Sequence, residues 1–106
     1  MVKRGEVWLA ALDPTIGREI QKTRPCLVVS PDELNAHLAT VLVAPLTTGS
    51  RPASFRIPVT FQRKQGLILP EQMRALDRDR LVKQLGKVDT ATLRAVLDVI
   101  GELFAA

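Results

Sequence analysis

The chain has 106 residues, with 15 Lys and Arg against 11 Asp and Glu, one His and a formal net charge of +4. Its single cysteine, Cys26, rules out an intramolecular disulfide and suits a reducing compartment such as the cytoplasm. No apolar run reaches the ~20 residues of a membrane span, Met1-Val2-Lys3-Arg4 leads into Gly and Glu instead of a signal peptide, and the length predicts one domain over 1–106.

Glu6–Leu12 reads as a first strand, with Val7, Leu9 and Ala11 on one side and Trp8, Ala10 and Leu12 on the other. Trp8 is expected in the core or an interface. Residues 13–23 form a polar, charged loop that runs directly into Pro25–Ser30, a second strand expected to be fully buried. Arg24 stands at the join. Pro25 fixes its own φ and biases Arg24 toward extended backbone, so a rigid element holds the arginine while its head stays near the loop. Cys26 is expected to be inert packing. Ser30-Pro31-Asp32-Glu33 predicts a short helical turn, with Ser30 as N-cap, Pro31 in first position and Glu33 closing a capping box.

Residues 38–47 are apolar and β-branched and predict a central strand, followed by a loop over 48–52. Phe55, Ile57, Val59 and Phe61 then alternate with polar residues, and Pro58 places that strand at an edge or a bulge. Gly66–Gln72 predicts another strand, Asp77–Arg80 a turn, and Leu81–Val88 a last strand. The period then changes. Leu93, Val96, Leu97, Ile100 and Phe104 fall on one helical face, with Asp89 as N-cap and Val88 packing on Leu93. Short strands closed by one helix predict a mainly β chain, a small and partly closed antiparallel barrel with a helix laid across it.

Charge is unevenly spread. Residues 51–87 hold nine Lys and Arg against three Asp and Glu, whereas residues 88–106 hold one against three. Such a field favours polyanions, nucleic acid above all. The lone histidine, His37, is expected at the surface, which excludes two-histidine RNA cleavage within one subunit. No spacing suggests a metal site, and no cofactor is expected. With four aromatics in the chain, an RNA surface built on stacking is not expected either.

RNA carries its own nucleophile, the 2′-hydroxyl, so a protein need only orient the strand, relay a proton and stabilise the crowded phosphate. Arg24, with five donors in a fixed fork, suits that stabilisation; the alternative is an ordinary salt bridge at a loop end. Thr47 ends an apolar strand with a hydroxyl that could hold a phosphate oxygen or simply cap the backbone. Arg18, Lys22, Arg51, Arg63 and Lys64 are candidate phosphate contacts, and each taken singly also reads as a solvated surface charge.

Several segments together resemble the MazF/PemK family, the toxin endoribonucleases of bacterial toxin–antitoxin pairs. They are Lys3-Arg4-Gly5-Glu6-Val7-Trp8, Leu12-Asp13-Pro14-Thr15, Gly17 to Pro25, Val43-Ala44-Pro45-Leu46-Thr47-Thr48 and Glu71-Gln72-Met73-Arg74-Ala75-Leu76-Asp77, in the family's order over nearly the whole chain. The resemblance implies an SH3-like barrel with a C-terminal helix, usually a homodimer. It also implies metal-independent cleavage of single-stranded RNA to a 2′,3′-cyclic phosphate and a 5′-hydroxyl, and inhibition by an acidic antitoxin.

By that resemblance Arg24 and Thr47 are catalytic, Glu19 matches the acidic residue of the first loop and is a third catalytic candidate as proton acceptor or base-edge contact, and Arg74 and Asp77 match the active-site segment of the PemK branch; these two and Thr48 are read as RNA-binding. One departure is Arg18, which stands where PemK-like members have a His and favours an Arg–Thr mechanism over a histidine base. Two other functions share this barrel: a CcdB-like, gyrase-poisoning toxin and a non-catalytic nucleic-acid-binding module. The helix ending Gly101-Glu102-Leu103-Phe104-Ala105-Ala106 is not recognised as that of the gyrase poisons.

Overall fold

A computed structural model describes residues 1–12 and 23–106. Seven strands are seen among them: β1 (Glu6–Ala11), β2 (Thr23–Val28), β3 (Thr40–Thr47), β4 (Ile57–Phe61), β5 (Lys64–Ile68), β6 (Arg74–Asp77) and β7 (Leu81–Lys87). Helix α1 (Asp32–His37) follows β2, and α2 (Thr90–Leu103) ends the chain. The strands form one antiparallel sheet in the order β4-β5-β3-β2-β1-β7, with β6 also paired to β3, curled into a half-barrel. This is the partly closed β architecture that the alternation and strand count predict.

Both faces of the central strands are buried over Cys26–Val28 and largely so over Val41–Leu46, which explains why those stretches are apolar without alternation, whereas Leu38 and Ala39, read as the start of the central strand, are exposed and precede β3. Leu27, Val29, Ala44 and Leu46 face one cluster with Val7, Ile57, Ile68 and Val96 of α2. Cys26, Val28, Val41 and Val43 face a second cluster with Val2, Ala10 and Leu76, against which Trp8 and Leu12 pack. Helix α2 covers the first cluster through Leu93, Val96, Leu97 and Ile100, joined by Ala95 and Val99. Asp89 caps it by accepting from the Thr92 N–H at 2.7 Å.

Four local expectations need correction. Phe104 leaves the apolar face: it is the C-terminal cap residue of α2 and 74% exposed. Ser30 does not cap α1, whose N-cap position is Pro31 without a side-chain bond. Buried Ser30 instead donates its hydroxyl to Asn35 Oδ1 and accepts from the Leu42 N–H at 3.0 Å, tying α1 to β3. The strand expected over Gly66–Gln72 begins two residues earlier and ends at Ile68, because Pro70 starts a 3₁₀ turn over Pro70–Gln72. The chain then returns as β6, a strand the sequence reading did not foresee.

These corrections build one edge of the site. β3 meets β6 over Thr40–Val43 and β5 over Leu46–Thr47. The 3₁₀ turn bridges the two strands, with Leu69 N–H donating to Pro45 O at 3.0 Å. Pro58 lies in β4, at the sheet edge, as its missing N–H requires. Gly5 adopts φ +93 and joins three elements, donating its N–H to Val28 O and accepting from the Val88 N–H. No helix among the described residues is long and apolar enough to cross a membrane.

Candidate functional site: two grooves sharing an arginine and a threonine

β2 and β3 pair with Cys26 opposite Pro45 and Leu27 opposite Ala44. The pairing ends at Cys26 and Pro45, and Arg24 and Thr47 lie two residues beyond them on their own strands. Strand alternation then puts Arg24, Cys26, Pro45 and Thr47 on one face. Arg74 of β6 lies opposite Val43 and joins that face. Two concavities open around these residues, and Arg24 and Thr47 line both.

The first is a pocket of about 330 Å³. Pro25, Leu46, Val59 and Phe61 give it apolar walls, while Thr48, Gln62 and Lys64 are polar. The second is a groove of about 510 Å³ in which Arg74, Gln72 and Ser50 accompany Arg24 and Thr47. Arg24 is half-buried, and among the described residues its guanidinium has no hydrogen-bond or ion-pair partner. A positioned cation without a carboxylate, beside an open concavity, suits an incoming anion. Thr47 Oγ1 accepts from the Gly49 N–H at 3.3 Å, so the backbone cap is real, and the hydroxyl proton remains free to donate.

Arg24 and Arg74 both act on the Cys26 thiol. Burial pushes that thiol up from its usual 9.0 to about 12, and the two guanidinium charges pull only weakly the other way. Desolvation therefore wins, and Cys26 is a neutral core residue beneath the two arginines, as its apolar context predicts.

Two features hold the groove in shape. Gly66 of β5 lies against Thr47: a Cβ there would stand 2.6 Å from the Thr47 carbonyl oxygen and 3.3 Å from its carbon. Only glycine lets β5 approach the strand end that carries the threonine. The loop between β3 and β4 is anchored by Arg56, whose Nε and Nη2 donate to Glu71 Oε2 at 3.0 and 2.7 Å and whose Nη1 donates to the Arg51 carbonyl at 2.9 Å. This ion pair links the loop bearing Thr48, Ser50 and Arg51 to the 3₁₀ turn bearing Gln72.

The structure thus brings together Arg24, Thr47, Thr48, Lys64 and Arg74. Arg51 and Arg63 are exposed and line neither groove, and Asp77 sits at the far end of β6, where its carboxylate accepts from the Asp79 N–H at 2.9 Å. Arg18, Glu19 and Lys22 lie outside the described residues. The sequence reading gave no site role to Ser50, Phe61, Gln62, Gly66 or Gln72. Gln72 had a signal, its place inside the Glu71–Asp77 segment, and Ser50 had one in following Thr47 by three residues; Phe61, Gln62 and Gly66 become neighbours of Thr47 only through pairing.

The basic excess over 51–87 is partly structural. Arg56 pairs with Glu71, Arg78 donates to the carbonyls of Asn35 and Leu38, and Arg80 donates to those of Ala11 and Leu12. His37 is exposed on α1, its Nδ1 2.7 Å from Glu33 O. Among the described residues no three His, Cys, Asp or Glu are placed to hold a metal, and neither groove is lined by a carboxylate or an imidazole.

Residues 3–104 match the family described as the PemK-like, MazF-like toxin of type II toxin–antitoxin systems. The chain is 36% identical to Endoribonuclease PemK of Escherichia coli over 102 residues, covering 91% of this chain and 77% of that protein. It is also 36% identical to Endoribonuclease MazF of Staphylococcus epidermidis over 91 residues, covering 80% and 76%. Its fold superposes on MazF of Deinococcus radiodurans with a TM-score of 0.81 at 26% identity, covering 96% and 94% of the two chains. A mycobacterial endoribonuclease solved with its cognate antitoxin gives 0.80 at 25% identity, covering 96% and 93%. Alike in sequence over nearly its whole length and in the course of its strands, this chain belongs to the PemK/MazF-like toxins of type II toxin–antitoxin systems.

Proposed function

We propose that the chain, as one toxin domain over 1–106, is a sequence-specific, metal-independent endoribonuclease that cuts single-stranded RNA in the cytoplasm and arrests translation and growth. The observation that carries this reading is the sharing of both grooves by Arg24 and Thr47, with Arg74 beside them. These groups suit phosphate stabilisation, with the RNA supplying the nucleophile.

The 2′-hydroxyl attacks the adjacent phosphorus. A P–O bond forms to O2′ and the bond to O5′ breaks, leaving a 2′,3′-cyclic phosphate and a 5′-hydroxyl. The Arg24 fork binds the non-bridging oxygens, which gain charge in the crowded transition state. The Thr47 hydroxyl donates to one of them, and Arg74 adds a second positive charge. Arginine keeps its proton too tightly to act as an efficient general acid. Glu19 is proposed as acceptor of the 2′-hydroxyl proton, and the departing O5′ takes one proton from solvent water, to which Glu19 returns its own, so that the proton count is unchanged. Lys64 and Thr48 contact the strand on one side of the cut, while Arg18, Lys22, Arg51, Arg63 and Asp77 are proposed as further RNA contacts.

A homodimer and an acidic antitoxin that competes with RNA complete the reading. Its support is the basic grooves, the family and the mycobacterial relative solved with its antitoxin. The test is incubation with long RNA in EDTA. Cleavage to 5′-hydroxyl ends is expected; binding without cleavage, or gyrase-dependent DNA breaks, overturns the reading. A saturating acidic antitoxin peptide should also displace a non-cleavable RNA analogue.

A further inference from the structure

The tip of the β4–β5 hairpin adopts a conformation that its residues do not favour. Phe61 pairs with Lys64, leaving a two-residue turn in which Gln62 has φ 51 and Arg63 has φ 66. Positive φ at both centres is the type I′ turn, for which Asn-Gly is the favoured pair. Gln and Arg carry a Cβ that opposes the left-handed region, so this turn is held against local preference. Gln62 also lines the 330 Å³ pocket beside Arg24 and Thr47.

That pocket has the chemistry of a nucleobase site. Leu46, Val59 and Phe61 present apolar surface, and Thr48 and Gln62 offer hydrogen bonds. Phe61 is braced against β7, where a Cβ on Gly86 would lie 3.3 Å from its Cζ. Among the described residues the Gln62 amide, with two donors and one acceptor, has no hydrogen-bond partner. Single-stranded RNA is read by splaying bases into such pockets and bonding to their edges.

We propose that this pocket takes the nucleobase next to the scissile phosphate, and that the side-chain amide of Gln62 reads its edge and sets cleavage preference there. The proposal rests on the endoribonuclease reading. Gln62 is a neutral side chain that lines the first pocket and not the groove holding Arg74, so the role proposed for it is base reading and not charge stabilisation.

The test sequences the 5′-hydroxyl ends that the full chain produces from a random single-stranded RNA library in EDTA. Q62G removes the amide and supplies the residue that the left-handed backbone favours. Its melting temperature should be no lower than wild type, while discrimination at one base beside the cut falls by roughly tenfold. Q62E replaces the amide donors by a carboxylate and should move the preference toward bases with exocyclic amino groups. A wild-type protein that leaves the library uncut ends the endoribonuclease reading and this proposal with it. Normal wild-type cleavage with the same base profile in both variants overturns the Gln62 proposal alone.

Discussion

Replacing Arg24 by alanine separates catalysis from folding. The side chain is half-buried at the start of β2 and, among the described residues, makes no hydrogen bond or ion pair that folding would lose. Its removal should therefore change stability by no more than about 0.5 kcal/mol. In the proposed mechanism it is the charged stabiliser that lines both grooves with Thr47, and the loss of one such group costs about 3–4 kcal/mol, a fall of roughly 10²–10³ in rate. Arg74 still lines the second groove and keeps the residual rate above zero. Arg24→Lys restores charge without the planar fork and should recover only part of the loss. Thr47→Ala removes one neutral donor, about 1 kcal/mol or several-fold in rate, while Thr48→Ala, exposed on the pocket rim, should change total rate little. The assay is single-turnover cleavage of a labelled RNA in EDTA, alongside thermal melts of each variant. A folded Arg24→Ala protein that cleaves within threefold of wild type would refute the assignment, and a dominant effect at Thr48 would show that the hydroxyl on β3 was misassigned.

Gly66→Ala should lower cleavage and melting temperature together, because the new Cβ collides with the Thr47 carbonyl oxygen at 2.6 Å and β5 must move away; normal cleavage would show that Thr47 does not depend on this approach. Cys26 should resist iodoacetamide in the native protein and react once unfolded. Since burial raises its thiol from 9.0 to about 12, its contribution to stability is complete below pH 9 and is lost as pH rises toward 12. Urea melts at pH 8 and pH 10.5 should show that alkaline loss in wild type and not in Cys26→Ala. Asp89 is the opposite case. Its hydrogen bonds to Thr92 hold its carboxyl below the ordinary value, so the cap stabilises α2 above the unfolded carboxyl's pKa and weakens as pH falls through the lower folded one. Asp89→Ala should lower the melting temperature at pH 7 and make less difference at pH 2, measured by circular dichroism.

Local signals carried much of the fold. The alternation of β4, Pro58 at the sheet edge, the apolar runs of β2 and β3, and the Asp89 cap of α2 each have a cause within a few residues, so each was readable. Arg24 and Thr47 were readable as candidates for the same reason, as polar residues ending apolar strands, and the family resemblance raised both. The misreadings fall where a distant partner decides. Ser30 looks like a cap, but Leu42 and Asn35 claim its hydroxyl across the chain. Gly66–Gln72 looks like one strand, but Pro70 ends it early, and β3 pairs with β5 before the break and with β6 after it.

Charge was the least transferable signal. The sequence by itself determined that residues 51–87 are basic; the tertiary structure decided that Arg56, Arg78 and Arg80 serve the fold while Lys64 and Arg74 line the grooves. A guanidinium is the same group in either setting. Whether it meets a carboxylate, a backbone carbonyl or an open groove depends on strand register and on turns such as Gln62-Arg63. The register of β3 against β6, which brings Arg74 to Val43, is fixed by pairing between residues far apart in the chain, which no local pattern encodes.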